Sequence, residues 1–455
     1  MKLKLKTLSA SIVLGITTQA FAASNIYPVG SNLGYGDTSN KNTAFHVSAN
    51  PAWVSSNLDQ GNDYGLGITG GFMVTQQGAD QLINQYRDNV EPILKKMDGS
   101  NNAITVAQDL KTEMNRLVLA VRDKFHTQID TQFALPLQIS HNAVGGFGLE
   151  VSGLAQGKER LLSSNRPLDL NTTYLLTNLT ATQQDIVDNG LIIQSAFYTK
   201  TAQYAEGALT YGNQFYSNDK GVLSIGVRIK YMQAKLRKSI NDLGKLLRSN
   251  SSAGSKVSND ISNTLGSGNF DTTMGVDVGL MWLNPNWQVG LNLQNLNSPT
   301  FNYNTLGTGP ITDDQANIER FYGSQINLKE QVELKAQARI EGAIYTQNKH
   351  WVLAASADLN ESNDLLNNPY QWVSISASYS SSATGDAWWY ALIPDVRIGY
   401  RTNLTGDNQS FITPGFSWGP LNLDVAFHQF SDLSNVSENN VPQGLAVNLG
   451  LELQF

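Results

Sequence analysis

The chain contains no cysteine. No disulfide holds it and no thiol chemistry occurs in it, which excludes a thioredoxin-type redox role. Histidine is scarce as well: His46, His126, His141, His350 and His428 lie far apart, and no H-E-x-x-H, G-x-S-x-G or Walker loop is present. We therefore expect no metal, no cofactor and no enzyme activity. Positive charge is in short supply, with 31 Lys and Arg against 38 Asp and Glu and a formal net charge of -7. That balance argues against a nucleic-acid partner. After the first 22 residues no run of 18 or more apolar residues occurs, so no transmembrane helix is expected.

The N-terminus carries an address. Lys2, Lys4 and Lys6 form a basic region, an apolar run follows from Leu8 to about Ile16, and Ala20-Phe21-Ala22 offers an A-x-A cleavage site. This pattern is a secretory signal peptide over residues 1–22. The whole chain is rich in Gly (39), Tyr (17) and Trp (8), yet its mean hydropathy is only -0.26. Its length would suit two or three soluble domains, but no linker divides it. Outer-membrane barrels combine these traits, because only alternate residues of each strand meet lipid.

Alternation is the dominant pattern. In "VLSIGVRIKY", Leu223, Ile225, Val227, Ile229 and Tyr231 share one face, and Ser224, Gly226, Arg228 and Lys230 the other. In "INLKEQVELKAQARIEGAIY", Val332, Leu334, Ala336, Ala338, Ile340 and Ile344 alternate with Lys329, Gln331, Glu333, Lys335, Gln337, Arg339 and Glu341. Period two is the signature of strands. Runs this long, polar on one side and apolar on the other, fit a membrane barrel with a wet interior. Hydrocarbon leaves no edge unpaired, so the sheet must close.

Fourteen strands are expected, near residues 62–75, 125–139, 146–158, 201–215, 221–236, 270–283, 287–298, 326–346, 350–360, 370–380, 389–402, 410–417, 420–430 and 444–455. Short connections ("SHNAVGG", "SNDKG", "NPN", "NKH", "SSATGDA", "WGP") alternate with long ones. Short turns belong on the periplasmic side and long loops outside. Pro394 falls inside one expected strand and predicts a kink or bulge there. Trp282 and Trp287, Trp388 and Trp389, and Trp418 stand at strand ends, where interfacial girdles sit.

Three further features bear on function. Residues 79–124 carry two helical patterns, the second through Leu110, Met114, Leu117, Val121 and Phe125; a helical hairpin capping the outer mouth is expected. Lys235, Arg237, Lys238, Lys245 and Arg248 cluster near an outer rim and are candidate contacts for lipopolysaccharide phosphates. Glu150, Asp277, Asp424 and Glu452, with Arg228, Lys230, Lys335 and Arg339, are expected to face the lumen and pair there, as is Asp358. The segment "GLGITG" matches G-x-G-x-x-G at Gly65, Gly67 and Gly70, but it lies within an alternating strand. Close approach of other backbone explains those glycines better than a nucleotide.

The segment "SNLGYGDTSNKNTAFHVSANPAWVSSN", leading through Asn50-Pro51-Ala52 into the first strand, resembles the N-terminal hatch of FadL-like outer-membrane proteins, and "ALPLQISHNAVGGFGLEVSG" is similar to their second and third strands. "VGLNLQNL" and "RIGYRTNL...FITPGFSWGPLNLDVAF" resemble the barrel-type TraF-like proteins of plasmid conjugal transfer. The resemblance implies an all-β transmembrane barrel of about 14 strands, covering 62–455, plugged by a hatch over 23–61. It implies that Asn50, Pro51 and Ala52 gate the hatch. It further implies passage of small hydrophobic or amphiphilic molecules, or a scaffold role in conjugation. The closing stretch "GLAVNLGLELQF", ending at Phe455, resembles the strand that the barrel-assembly machinery reads.

Overall fold

A computed structural model describes residues 30–40, 43–59, 64–78, 81, 84–93, 103–122, 124–141, 144–178, 185, 189–243, 269–310, 312–380, 393–428 and 443–454. The expected signal peptide, Lys245, Arg248, Trp388, Trp389 and Phe455 lie outside the described residues.

The alternating runs form β1 (Tyr64–Gln77), β2 (His126–His141), β3 (Gly145–Leu170), β4 (Leu191–Asn218), β5 (Gly221–Asp242), β6 (Asp271–Asn284), β7 (Trp287–Gln294), β8 (Thr300–Asn302), β9 (Gln331–Glu333), β10 (Gln337–Tyr345), β11 (Trp351–Asp358), β12 (Ser362–Asn363), β13 (Pro369–Tyr370), β14 (Trp372–Tyr379), β15 (Asp395–Asn403), β16 (Ser410–Trp418), β17 (Leu421–Phe427) and β18 (Gly444–Gln454). Fourteen of them close into one barrel in the order β1-β18-β17-β16-β15-β14-β11-β10-β7-β6-β5-β4-β3-β2. The ring is sealed by antiparallel pairing of the last strand with the first, from Gly65 opposite Gln454 to Thr75 opposite Gly444. β8 pairs with β9, and β12 with β13, outside the ring.

Outward positions are apolar and exposed, as with Leu66, Ile68, Leu149, Leu209, Ile229, Ile398 and Leu451. Inward positions such as Glu150, Arg228, Asp277, Arg339 and Asp424 are buried. A surface of that kind is stable only against hydrocarbon. Trp287, Trp351 and Trp418 are exposed beside the short turns, where amphipathic rings meet the interface.

The wall is lopsided. β3, β4 and β5 run 26, 28 and 22 residues; β11, β14, β15, β16 and β17 run only 7 to 9. About 9–11 tilted residues cross a bilayer, so the long strands rise well beyond it at the end that bears the long loops. Above the lipid their apolar outward side needs another cover. The helix Ala103–Val121 supplies it, setting Leu110, Leu117, Val118 and Val121 against Ile129, Leu161 and Phe197. This corrects the expectation of a hairpin capping the mouth: the helix leans on the outside of the tall wall.

The inside of the tall wall is covered by a lid built from residues 299–334 and 359–371. It contains β8, β9, β12, β13 and the helix Asp314–Phe321, whose N-terminus is capped by Asp313 Oδ1, which accepts from Gln315 N (2.8 Å) and Ala316 N (3.2 Å). The lid corrects a second expectation. Residues 326–346 are not one barrel strand; only Gln337–Tyr345 stays in the ring. Before it the chain pairs instead with β8 and reverses its faces: Val332 and Leu334 are buried, and Gln331 and Glu333 turn to solvent. Pro394 is not within a strand either. β15 begins one residue later, which suits a residue with no N–H to give to the ladder.

Candidate functional site: the hatch and lid within the lumen

The N-terminal segment sits inside the barrel, near the short turns, in two lobes. The second lobe, from Thr43 to Ser55, lies on a shelf. Gly146, Gly212, Gly226 and Gly279 stand directly opposite one another across β3, β4, β5 and β6. A Cβ at Gly146 or Gly212 would collide with Val54, at Gly226 with Pro51 and Ala52, and at Gly279 with Asn50 and Ala52. Only glycine lets two backbones come so near. Both ends of the shelf are polar. Ser140, opposite Gly146, donates to Val54 O (2.9 Å), and Asn292, opposite Gly279, donates to Ala49 O (2.5 Å). Asn50 folds the turn itself, since its Oδ1 accepts from Ala52 N (3.0 Å) and its Nδ2 donates to Glu341 Oε1 (2.8 Å). The gating triplet Asn50-Pro51-Ala52 expected from sequence is thus the part seated against the wall.

The remainder of this lobe is held by side chains. Ser48 donates to Glu150 Oε2 (2.5 Å), Ala44 N donates to Glu452 Oε2 (2.6 Å), and Phe45 presses on Gly67 and Ala134. Gly67 therefore serves close approach of the hatch. Gly70 has only the Gln132 carbonyl near its open side. His46 Nε2 lies 2.9 Å from Gln138 Oε1, with the ring edge-on to Trp53. Complete burial among neutral partners pulls the His46 imidazole down to about 3.

The first lobe, Gly30–Asn40, meets the opposite side of the barrel. Ser376 donates to Tyr35 O (2.7 Å), and Ser356 and Ser374 donate to Gly36 O. Asp37 pairs with Arg339, which also holds Asp358 at 2.7 Å. Ser39 donates twice to Glu341, through N (2.5 Å) and Oγ (2.9 Å). Glu341 thus grips both lobes. Beside them, Arg228 joins Glu150 (3.1 Å) and Glu206 (2.9 Å), Lys230 joins Asp277 (2.7 Å), and Arg397 joins Asp424 (2.7 Å) beneath the Tyr35 ring. A buried charge is tolerated only when paired in this way.

Above the hatch the lumen changes character. Leu154, Tyr204, Met232, Leu236, Trp372 and Phe411 from the wall meet Leu33 of the hatch and Phe301, Tyr303, Val332 and Leu365 of the lid. A void of about 10 Å³ remains beside Leu33, Met73 and Asn448, room for about one water.

Most of the lumen residues expected from the sequence lie where alternation puts them, but two positions are corrected. Lys335 does not face the lumen. It lies on the segment that leaves the ring, is partly exposed, and pairs with Glu361 at 2.8 Å. Lys238 is not an outward contact for lipopolysaccharide: it points inward, fully buried, toward Glu330 (3.7 Å) and Asn327 O (2.5 Å). Lys235 and Arg237 occupy the outward face of β5, Lys235 over the Phe270 ring. Sequence reasoning missed Arg397, Glu206 and Glu341 as lumen anchors, although each stands at a polar position between apolar neighbours. Among the described residues no group of three His, Asp or Glu is placed to hold a metal.

A closed antiparallel barrel with an apolar outside, a polar inside and its own leading segment seated in the bore is a plugged membrane barrel. The family described as "F plasmid transfer operon, TraF, protein" matches residues 47–358, and the chain belongs to that family. No curated protein matches. Among solved structures, the chain is similar to a deletion mutant of the TodX monoaromatic hydrocarbon channel (TM-score 0.42, 13% identity, 93% of this chain and 96% of that one). It is also similar to the P. putida toluene transporter TodX (0.31, 11%, 89% and 92%) and a Pseudomonas aeruginosa FadL homologue (0.32, 10%, 95% and 99%).

Proposed function

We propose that this protein is an outer-membrane barrel that lets small hydrophobic or amphiphilic molecules through when its hatch and lid shift, without covalent chemistry. The observation that carries the reading is the apolar cluster in the outer half of the bore. Trp372, Phe411, Tyr204 and Phe301 belong to that cluster, and ligand sites are lined by such groups. The short-turn end then faces the periplasm, Lys235 and Arg237 stand near lipopolysaccharide phosphates, and β18 offers the strand read by the barrel-assembly machinery. The test is flux of an apolar fluorescent solute into liposomes bearing the full protein or a form lacking residues 23–60. Flux that rises on deletion supports the reading; absence of flux in both forms ends it.

A second reading has its own support. The family description names a plasmid transfer operon, and the tall wall with its external helix offers a projecting surface to a partner. On this reading the protein is an envelope scaffold for conjugation. Deleting residues 79–124 should abolish DNA transfer while the barrel stays heat-modifiable on gels; unchanged transfer removes it.

A further inference from the structure

Three lysines share one row on the inner face of the tall wall. Lys158 stands directly opposite Lys200, and Lys200 opposite Lys238, across β3, β4 and β5. Neighbouring strands are about 4.8 Å apart, and like charges facing each other destabilise a sheet. One step along the wall Arg160 adds a fourth cation, opposite His126. Such a row persists only if anions fill it.

Two separate loops fill it, one from the lid and one from the β15–β16 connection that lies against the lid. Glu330 reaches Lys200 at 2.6 Å and Lys238 at 3.7 Å. Asp407, from the β15–β16 connection, reaches Lys158 at 3.4 Å and His126 at 3.2 Å. Neutral oxygens complete the set: Lys158 donates to Asn368 Oδ1 (2.8 Å), and Lys200 to Leu366 O (3.0 Å). Immediately below the lysines, on the same inward face, lie Ala202 and Leu236, then Leu154, Tyr204 and Ala234. Onto those the lid lays Phe301, Tyr303 and Val332, from the same hairpin that ends in Glu330.

We propose that the lid, together with the β15–β16 connection beside it, is an internal stand-in for a ligand, and that the site they occupy takes an amphiphile whose headgroup carries two negative charges, such as a lipid phosphate monoester. The lid offers the wall an apolar segment followed by acid, and a competing molecule must offer the same. Two carboxylates occupy the row. A single fatty-acid carboxylate replaces one of them, whereas a phosphate monoester brings about -1.5 to -2 at neutral pH on three acceptor oxygens. The site refines the reading of the bore as a path for amphiphiles, and rests on it for its biological sense.

The test is binding, read by native mass spectrometry of the full protein in a neutral detergent, with phosphatidic acid, oleate, phosphatidylcholine and inorganic phosphate as probes. Phosphatidic acid should bind at least about tenfold tighter than oleate or phosphatidylcholine. Glu330→Gln removes a competitor while leaving the wall intact, and should tighten phosphatidic acid by about tenfold. Lys200→Met with Lys238→Met, checked for heat-modifiability, should weaken it by about tenfold or more. The gain expected of Glu330→Gln keeps the test decisive if the double variant fails to fold. Equal binding of phosphatidylcholine, or no gain in Glu330→Gln, overturns the proposal. Oleate binding as tightly overturns the two-charge headgroup, and inorganic phosphate binding as tightly overturns the amphiphile. Because no flux is read, binding with a silent liposome assay would refute the transport reading alone, and flux without this binding would refute the site alone.

Discussion

The two plugs of this barrel are fastened by different physics. The hatch is held in the short-turn half by directional contacts: backbone on a glycine shelf, serines on carbonyls, and ion pairs buried among them. The lid is held in the long-loop half mainly by apolar contact, with Glu330 paired to Lys200 and Lys238 at its upper edge. Hydrogen bonds and paired charges fix one geometry and fail abruptly when a partner is lost, whereas apolar packing tolerates adjustment. The hatch is therefore a keyed stopper and the lid a compliant one.

Two single-cysteine reporters separate them cleanly, since the chain has no cysteine of its own. Ala44→Cys reports on the hatch and Ala316→Cys on the lid, both sites being buried. The largest effect is expected from Arg339→Met, which strands Asp37 and Asp358 as uncompensated buried charges. Removing one partner of such a group costs about 3–5 kcal/mol, so maleimide labelling at Ala44→Cys should rise at least about a hundredfold while Ala316→Cys stays protected. Equal exposure of both would erase the distinction between the plugs. Next comes Leu365→Ala in the lid core, where Leu365 is fully buried; a loss of about 2–5 kcal/mol is expected, read at Ala316→Cys and not at Ala44→Cys. Gly226→Val follows. Its side chain would collide with Pro51 and Ala52, and overpacking of about 1–3 kcal/mol should loosen the hatch with the barrel still heat-modifiable. If labelling at Ala44→Cys is unchanged in Gly226→Val, the shelf does not hold the hatch.

Much of the barrel is legible in the sequence because a single rule, period two, governs every wall strand. Each of the fourteen expected strands has a counterpart in the ring; most differ only at their ends, while 326–346 keeps just Gln337–Tyr345 there. The failures occur where the rule stops applying. Gln331–Glu333 alternates as regularly as Gln337–Tyr345, but periodicity cannot say which side is inward once a segment leaves the sheet. Lys335 departs from expectation for that reason. The amphipathic helix Ala103–Val121 announces an apolar stripe without naming the surface it covers. The glycine shelf and the lysine row depend on register between strands, which no single strand encodes. Gly146, Gly212, Gly226 and Gly279 become one feature only after β3 to β6 are aligned.

The smallest predicted effect separates the plugs by pH. His46 is completely buried with a neutral hydrogen-bond partner, and its imidazole sits near 3 against about 6.5 in water. A released hatch binds a proton there that the seated hatch does not. Seating is thus fully favoured above about 6.5 and is lost as pH falls toward 3. From pH 7.5 to 5.5 the loss is about 1.4 kcal/mol, or about tenfold in exposure of Ala44→Cys. Asp407, on the β15–β16 connection beside the lid, behaves in the opposite range. His126 at 3.2 Å, with help from Lys158, holds the carboxyl down to about 2, so its contribution persists above about 3.8 and fades only toward 2. Across pH 7.5 to 5.5 the Asp407 carboxylate stays ionised, and Ala316→Cys labelling should stay level. His46→Gln keeps a hydrogen-bonding side chain without a titrating ring, and should flatten the hatch response. A tenfold rise that survives His46→Gln would place the acid sensitivity on another group and leave His46 as packing alone.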